Sequence, residues 1–398
     1  MNFDLLFAVL FYGLLIWFFF KKREKWEVHG KIIALYKTQL GVKAMEKLAS
    51  KFPTLLKFLS GISLTVGFIG MGLIFYYLII GTYTLITIPK AIPAVAPVLP
   101  GVKIPGLPVL SFWHWIIAIF IVAVVHEFSH GIYSRLYKIP LKSSGLALFG
   151  PILGAFVEPD EKLLKKQSRF RQITIFSAGS FSNIILAIIA ILLLQWGAAP
   201  LYSNFYETTG IQVNSLLPGH AAEAAGIKAP VIITSINSMP ATTAAEFFNA
   251  TKDIRARDPV TIETSQGTFT LLAEEHPQNA TKGFIGIADF EMQTSIKPEK
   301  KEKYGTFIPS SVAWLHMLLF WVFIVSFGIG LFNLLPLGPI DGGRMFYTAL
   351  GYFIKKESMQ KRIFGAVTLF CLLLILINLF PYIWKLFVWI GKLFVIGS

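Results

Sequence analysis

The sequence predicts an α-helical polytopic membrane protein with about six transmembrane helices, a membrane re-entrant β-hairpin and an inserted small α/β domain. Three observations predict this fold class. The 398 residues are 55% hydrophobic and only 15% charged, whereas about a quarter of the residues of soluble domains are charged. Apolar runs long enough to cross a bilayer recur along the chain. Between two of these runs, Thr208–Glu291 has the composition of a soluble domain.

Six apolar segments are expected to span the membrane. They are Phe3–Phe20, Ile62–Ile88, Phe112–Arg135, Gln172–Gly197, Val312–Leu337 and Ile363–Pro381. A shorter apolar tail, Tyr382–Ile396, contains two lysines and is expected either to extend the last span or to lie on the membrane surface. The first span has no basic segment before it and is followed by Lys21–Arg23, which predicts a retained anchor rather than a removed signal peptide.

The net charge of +14 is concentrated in the connections between spans. Of the 36 lysines and arginines, 23 lie in Lys21–Lys57, Arg135–Arg171 and Arg344–Arg362. The positive-inside rule predicts that these three segments are cytoplasmic, in a multi-pass protein of the cell membrane. The N-terminus, the proline-rich loop Pro89–Pro108 and Ala199–Ser310 are then expected outside. Such charges are typical of topology signals and lipid headgroup contacts, so the bilayer is the expected partner and nucleic acid is not.

Composition also divides the chain into four segments. Residues 1–61 hold the N-terminal anchor and a lysine-rich amphipathic cytoplasmic segment, where an interfacial helix pair is expected over residues 26–60. Residues 62–199 contain the next three spans and the hairpin. Residues 200–309 form the external insert with its charged linker, and residues 310–398 contain the C-terminal spans.

A polar cluster, His126-Glu127-Phe128-Ser129-His130, interrupts the third span. A carboxylate and two imidazoles inside an apolar helix cost several kcal/mol unless something binds them. Because positions i and i+4 share a helix face, His126 and His130 can hold one metal ion between them. Glu127 then lies beside that ion, where a general base for hydrolysis belongs.

A catalytic zinc site needs a third protein ligand, and two clusters could supply it. One is Glu158-Pro159-Asp160-Glu161, at the predicted inner surface, and the other is Asp341. Asp341 is favoured because it follows a span on the same side as His130, among prolines and glycines that would break the helix. The alternative interpretation of Asp341 is a helix N-cap or turn aspartate at the membrane boundary.

The glycine-rich, apolar run Ser144–Glu158 is too short and too broken for a spanning helix. Its alternation predicts a hairpin that enters the membrane from the inside, where irregular backbone is tolerated only beside a protein cavity. An exposed loop is the alternative.

Three features together resemble the site-2 protease family of intramembrane zinc metalloproteases, over about residues 100–379. They are the His126–His130 motif within a span, the later Asn333–Pro336 and Asp341–Arg344 motifs, and the insert between them. The resemblance implies one Zn²⁺ ion bound by His126, His130 and Asp341, with Glu127 as the catalytic residue. It further implies that the hairpin guides the substrate and that other polar and small residues position it. These are Asn333, Asn183, Gly145, Gly150 and Gly154, with Gly179 also lining the cavity.

The insert is expected to be mostly β, with short helices near His220–Gly226 and Ala244–Ala256. The expected strands are Ile211–Val213, Val231–Asn237, Val260–Thr264 and Thr268–Leu272. Leu217–Ile227 and the strand after it resemble a circularly permuted PDZ domain, which implies that Gly210–Val213 is the edge of a groove for an extended peptide. A filter that excludes folded ectodomains is the alternative. Asn249 and Asn279 begin glycosylation sequons.

These features predict a zinc metalloendopeptidase that cleaves the transmembrane segments of single-pass membrane proteins. One alternative is a membrane zinc protease that acts on soluble peptides, although the later spans lack the glutamate expected as its third ligand. The other is a non-catalytic receptor or scaffold that binds peptides through the PDZ-like domain.

Overall fold

The computed structural model describes residues 3–30, 33–88, 91–104, 107–276 and 279–395. It contains two compact units, one made of Met1–Leu194 with Met317–Ser398 and the other of Gln195–His316. Among the described residues, six helices are long and apolar enough to cross a membrane. They are Asp4–Lys21, Pro53–Thr87, Phe112–Leu136, Arg169–Phe205, Phe307–Phe332 and Glu357–Val388. The prediction of a multi-pass α-helical protein is therefore confirmed by the length and composition of its helices.

The chain up to residue 193 forms six α-helices and four strands within its described part. They are α1 (Phe3–Lys21), β1 (Trp26–His29), β2 (Ile33–Thr38), α2 (Val42–Lys51), α3 (Pro53–Thr87), α4 (Phe112–Leu136), β3 (Leu141–Phe149), β4 (Ile152–Pro159), α5 (Glu161–Lys165) and α6 (Arg169–Leu193). Pro53 suits the first position of α3, where its missing N–H has no helical partner. Serine side chains, Ser111 and Ser168, accept main-chain N–H groups at the starts of α4 and α6.

The four strands form one antiparallel sheet in the order β1-β2-β3-β4. The strands β3 and β4 make the predicted hairpin, in which Gly145 lies opposite Phe156 and Leu148 opposite Leu153. Gly150 takes a positive φ of 58° in the turn between them, a conformation that favours glycine. The entry of this hairpin into the membrane stays a prediction.

The expected helix pair over residues 26–60 is wrong for its first half. Residues 26–29 and 33–38 form strands, α2 is a single short helix, and α3 already begins at Pro53. The reason is the edge of β3, whose main-chain groups pair with β2 from Ile33 opposite Phe149 to Thr38 opposite Ser144. Trp26 is buried against Tyr36 in the same sheet. Lysine spacing alone suggested a helix and carried no signal of this pairing.

The second unit contains four short helices and eight strands among its described residues. They are α7 (Ala199–Phe205), β5 (Tyr206–Leu216), α8 (Ala221–Ala224), β6 (Val231–Ile236), β7 (Met239–Pro240), α9 (Ala244–Thr251), β8 (Pro259–Thr264), β9 (Gly267–Leu272), β10 (Glu274–His276), β11 (Asn279–Phe284) and β12 (Ile287–Ile296), followed by the linker helix α10 (Pro298–Tyr304). The predicted strands and helices of the insert are thus present. Their core is aliphatic, with Ile211, Val213, Ile236, Val260 and Ile262 fully buried.

The predicted groove edge at Gly210–Val213 is wrong. The main sheet has the order β12-β5-β6-β8-β9, so β5 is an interior strand. Residues 210–213 pair with Phe290–Gln293 on one side, and Ile211–Val213 pair with Val231–Ile233 on the other. Because both rows of main-chain groups are used, no peptide can add to this strand without displacing β12. The likeness to a PDZ domain stays a prediction.

Three helices complete the described part of the chain: α11 (Phe307–Phe332), α12 (Asp341–Phe353) and α13 (Glu357–Val395). The apolar tail continues α13 through Pro381 as far as Val395, and residue 396 lies outside the described residues. Of the proline-rich loop 89–108, residues 89, 90, 105 and 106 also lie outside them. The loop is held by Asn378 of α13, whose side-chain oxygen accepts the N–H of Ala94 at 2.8 Å and whose amide donates to Thr82 Oγ1 at 2.6 Å.

Candidate metal centre

Three side chains from two helices converge on one point. In α4, His126 and His130 lie one turn apart, with their Nε2 atoms separated by 3.1 Å. Asp341, the first residue of α12, places Oδ2 3.0 Å from Nε2 of His126 and 3.2 Å from Nε2 of His130. A tetrahedral zinc ion with bonds of about 2.0–2.1 Å holds its ligand atoms roughly 3.3 Å apart. The three donor atoms therefore fit such an ion, and they form a cluster with the composition of a metal site.

The hydrogen bond of His130 fixes which of its nitrogens can bind a metal. Its Nδ1 lies 2.7 Å from the main-chain oxygen of Ile175 in α6. A carbonyl oxygen only accepts, so Nδ1 carries the proton and donates it to Ile175. Nε2 is then left with a free lone pair directed at His126 and Asp341. This is the outer hydrogen bond by which proteins orient metal-binding histidines.

Asn183 has the corresponding place beside His126. Its side-chain nitrogen Nδ2 lies 3.1 Å from Nδ1 of His126, and the residue is fully buried. When Nε2 of His126 binds a metal, Nδ1 must carry the proton and needs an acceptor. Asn183 Oδ1 is buried without a hydrogen-bond partner within the described structure. A half-turn of the amide group exchanges Oδ1 with Nδ2 and presents this acceptor to Nδ1 of His126. Asn183 thereby fits an orienting function for His126, whereas the sequence led us to expect contact with substrate.

Gly179 provides the space beside the two imidazoles. A Cβ atom at this position would lie 2.5 Å from Nε2 of His126 and 2.5 Å from Nε2 of His130. Any side chain would therefore occupy the space into which the metal-binding lone pairs point. Ile175, Gly179 and Asn183 follow at intervals of four, so one face of α6 meets the histidine face of α4.

Asp341 reaches the histidines because the chain between α11 and α12 folds back tightly. The N–H of Gly342 donates to the main-chain oxygen of Asn333 at 2.6 Å. Cβ atoms at Gly342 and Gly343 would collide with the main chain of Leu334, Leu335 and Leu337. Both positions thus require glycine for close approach of the backbone, not for a positive φ. Asn333, predicted to position substrate, is half-buried at the end of α11 and contributes this main-chain contact.

The competing acidic cluster is engaged elsewhere. Glu158 accepts a hydrogen bond from Ser143 Oγ at 2.7 Å and pairs with Lys37 at 3.3 Å. Asp160 caps α5 by accepting the N–H groups of Lys162 and Leu163. Glu161 pairs with Arg344 at 2.9 Å. Asp341 thus lies beside the histidines, whereas each of the other three carboxylates is engaged by a hydrogen bond or an ion pair elsewhere.

Glu127 points from α4 toward the hairpin. Its Oε2 atom accepts the main-chain N–H of Val157 in β4 at 3.1 Å. This donor and the Ile175 carbonyl are both main-chain groups, so no pattern of side chains in the sequence indicates either one. Among the hairpin glycines, Gly145 lies against the Tyr36 carbonyl of β2, where a Cβ would collide. Gly150 forms the turn and Gly154 lies within β4, so the first two have structural reasons of their own.

Comparisons with known proteins match this part of the chain. The profile of Peptidase family M50 matches residues 114–377, which include the three converging side chains and Glu127. An uncharacterized protein of Methanocaldococcus jannaschii is 27% identical over 358 residues, covering 86% of this chain and 85% of its own length. A protein of Clostridium perfringens whose provisional name is zinc metalloprotease is 23% identical over 296 residues, which are 63% of this chain and 86% of that one.

Proposed function

The chain belongs to peptidase family M50, which confirms its resemblance to site-2 proteases, and on this premise we propose that it is an intramembrane zinc metalloendopeptidase. Its substrates in this proposal are the transmembrane segments of single-pass membrane proteins. The observation that carries the proposal is the convergence of His126, His130 and Asp341 at a helix that is long and apolar enough to span a membrane. Ionisable side chains within a membrane-spanning helix cost free energy, and they are typically retained there for a function. A hydrolytic metal site is such a function.

The proposed chemistry divides between the metal and the side chains. A zinc ion held by the two histidines and Asp341 supplies Lewis acidity for the scissile carbonyl and for water. Glu127 is the general base: it takes a proton from the attacking water and returns it to the leaving amine. The N–H of Val157 holds Oε2 of Glu127, which leaves Oε1 for this proton transfer. The Ile175 carbonyl holds His130 in the tautomer that the ligand set needs. Asn183 does the same for His126 when its amide oxygen, rather than its nitrogen, faces Nδ1.

The free edge of β4 supports binding of an extended substrate. The strand β4 is the last of its sheet and pairs only with β3 among the described strands. The N–H of Val157 points to Glu127 and therefore away from β3. Main-chain groups alternate along a strand, so those of Ala155 and Leu153 face the same free side. A helix hides its carbonyls in its own hydrogen bonds, and we propose that an unwound substrate adds to this edge beside Glu127.

The distribution of basic residues supports a cell-membrane location with the metal centre toward the cytoplasm. Asp341 directly precedes the basic segment Arg344–Arg362, and His130 precedes Arg135–Arg171. By the same rule we propose that the N-terminus and the insert are outside. The peptide-receptor alternative is not favoured, because its expected binding strand β5 is paired on both sides.

Co-expression with a tagged single-pass membrane protein tests the proposal. Wild-type protein is expected to release a membrane-embedded cleavage fragment. Glu127→Gln is expected to abolish the fragment while zinc content, measured by elemental mass spectrometry, stays unchanged. Glu357→Gln is the control, because Glu357 is exposed and pairs with Lys361 of its own helix. Undiminished cleavage by Glu127→Gln would contradict the role of Glu127. Cleavage of soluble peptides only would favour the alternative protease.

A further inference from the structure

A cavity of about 370 Å³ lies between α5, α6, α12 and the start of α13, and none of its lining residues belongs to the metal centre. Three cations line it, Lys165, Arg169 and Arg344, against one carboxylate, Glu161. The amide and hydroxyl side chains that also line the cavity donate to main-chain oxygens of the protein: Gln172, Thr348 and Gln360. The excess of positive charge in the lining therefore favours an anionic ligand.

The two arginines are held in place from different sides. Arg344 pairs with Glu161 at 2.9 Å, and its guanidinium lies 4.2 Å from the ring centre of buried Phe176. Arg169 lies 5.6 Å from the ring centre of Tyr352. The ion pairs in this region of the described structure use Arg135 and Arg344 rather than Arg169. Among the described residues, the guanidinium of Arg169 is thus paired with no carboxylate.

Gly351 admits the guanidinium of Arg169 into the cavity. A Cβ atom at this position of α12 would lie 2.6 Å from Nε of Arg169 and 3.1 Å from its Cζ. Alanine is otherwise favourable within a helix. Replacement of Gly351 by alanine therefore displaces the arginine without an intrinsic cost to α12.

An apolar cleft adjoins the cavity. Its volume is about 710 Å³, and Pro339 and Phe364 contribute to its lining. The cleft shares Arg344 and Tyr347 with the basic cavity. A ligand that fills both must carry an anionic group and an apolar part close together.

We propose that this cavity binds the phosphate of an anionic glycerophospholipid, with the glycerol and the first part of an acyl chain in the adjoining cleft. Guanidinium groups recognise phosphate oxygens through paired, charge-assisted hydrogen bonds. Basic pockets between membrane helices on the cytoplasmic side are typical of lipid headgroup sites. The cavity draws its cations from Arg135–Arg171 and Arg344–Arg362, the segments predicted to face the cytoplasm.

Native mass spectrometry of the delipidated full-length protein tests this assignment, independently of peptidase activity. Phosphatidylglycerol is titrated against the wild type and against Arg169→Gln, Arg344→Gln and Gly351→Ala. Each loss of an arginine contact is expected to weaken binding about five-fold, since one basic residue near a lipid surface contributes on that scale. Arg171→Gln is the matched control, because Arg171 bonds to Gln167 at 2.9 Å and does not line the cavity.

Further arms separate the possible ligands. Phosphatidylcholine is expected to bind more weakly than phosphatidylglycerol. Inorganic phosphate and glycerol phosphate are expected not to displace the lipid; displacement by either would assign the cavity to a soluble phosphate. Equal binding of phosphatidylglycerol by Arg169→Gln and Arg171→Gln would overturn the proposal. If Arg344→Gln lowers the melting temperature, Arg169→Gln and Gly351→Ala carry the test.

Discussion

The main-chain N–H of Val157 donates to Oε2 of Glu127 across 3.1 Å, and this bond joins the edge strand β4 to the residue beside the metal-site histidines. It orients one carboxylate oxygen and leaves the other free. It also fixes which main-chain groups of β4 face away from β3, because neighbouring residues of a strand alternate. In the proposed function, this one contact therefore orients the general base Glu127 and places it beside the strand edge that binds substrate.

Removal of that donor is expected to slow cleavage without loss of zinc. Val157→Pro deletes the N–H but costs no bond of the β3–β4 ladder, since proline is tolerated at a strand edge. A reduction of about ten-fold in the rate of fragment release is expected, corresponding to roughly 1.4 kcal/mol for one hydrogen bond to a charged group. Val157→Ala retains the N–H and is the control. Equal rates for the two variants would show that the contact does not position Glu127.

A side chain at Gly179 is expected to disrupt the metal centre. Gly179→Ala places a methyl group 2.5 Å from both imidazole Nε2 atoms, so the rings must move apart. Zinc affinity is expected to fall by about ten-fold or more, the scale on which disturbed ligand orientation acts. Competition with a zinc-binding dye measures this directly. Gly61→Ala in α3 is the control, because no atom lies within 4 Å of its added methyl group. Normal zinc affinity in Gly179→Ala would contradict the arrangement.

Asp341 is expected to be required for zinc binding, whereas the acidic cluster Glu158–Glu161 is not. Asp341→Ala removes one of three donor atoms, so zinc content after purification should fall about ten-fold or more. Glu158→Gln should leave it unchanged, because Glu158 is engaged with Ser143 and Lys37. Elemental analysis of the two purified variants decides between them. Zinc loss in Glu158→Gln with retention in Asp341→Ala would reverse the ligand assignment.

Loss of Asn378 is expected to destabilise the membrane unit. Its amide group satisfies Thr82 and Ala94 at once, and the residue is fully buried. Asn378→Ala leaves the half-buried N–H of Ala94 without its acceptor, at a cost of about 1–3 kcal/mol. The Thr82 hydroxyl loses one donor but still bonds to the main-chain oxygen of Leu78. A melting temperature several degrees lower, measured in detergent, is expected. Thr65→Ala is the control, since that exposed hydroxyl only bonds back to Gly61 in its own helix. No difference between the variants would falsify the role of Asn378.

The start of α9 is expected to loosen in acid. Hydrogen bonds from the Thr242 hydroxyl, and then from the N–H groups of Thr242 and Thr243, hold the pKa of Glu246 below its usual 4.5. A lowered pKa means that the carboxylate stabilises the folded state fully above about pH 4.5 and loses this contribution as the pH falls through the lowered value. In the wild type, hydrogen exchange of residues 244–251, corrected for intrinsic rates, should therefore become faster as the pH falls below about 4.5. Glu246→Gln should show little change over the same range. Identical pH profiles would exclude this mechanism.

Much of the membrane architecture could be read from composition. A helix satisfies its own main-chain groups in lipid, so apolar length alone indicates a span, and each of the six expected spans overlaps one such helix. The sequence did not predict β2, because its pairing with β3 is a contact across more than 100 residues. The strand β1 was missed with it, because β1 pairs with β2. The same reason accounts for the error at Gly210–Val213. Local alternation predicted that strand, but its second partner, β12, follows about 80 residues later.

The sequence by itself determined the histidine pair and its base, because positions i, i+1 and i+4 of one helix are related by helical geometry alone. For the third ligand, reasoning from local sequence left two candidates, the acidic cluster Glu158–Glu161 and Asp341. Only the tertiary structure brought Asp341 to within 3.2 Å of both histidines, through glycines that let two backbones touch. The Ile175 carbonyl and the Val157 N–H likewise became visible only there. Every residue carries such main-chain groups, so only packing decides which of them reach the site.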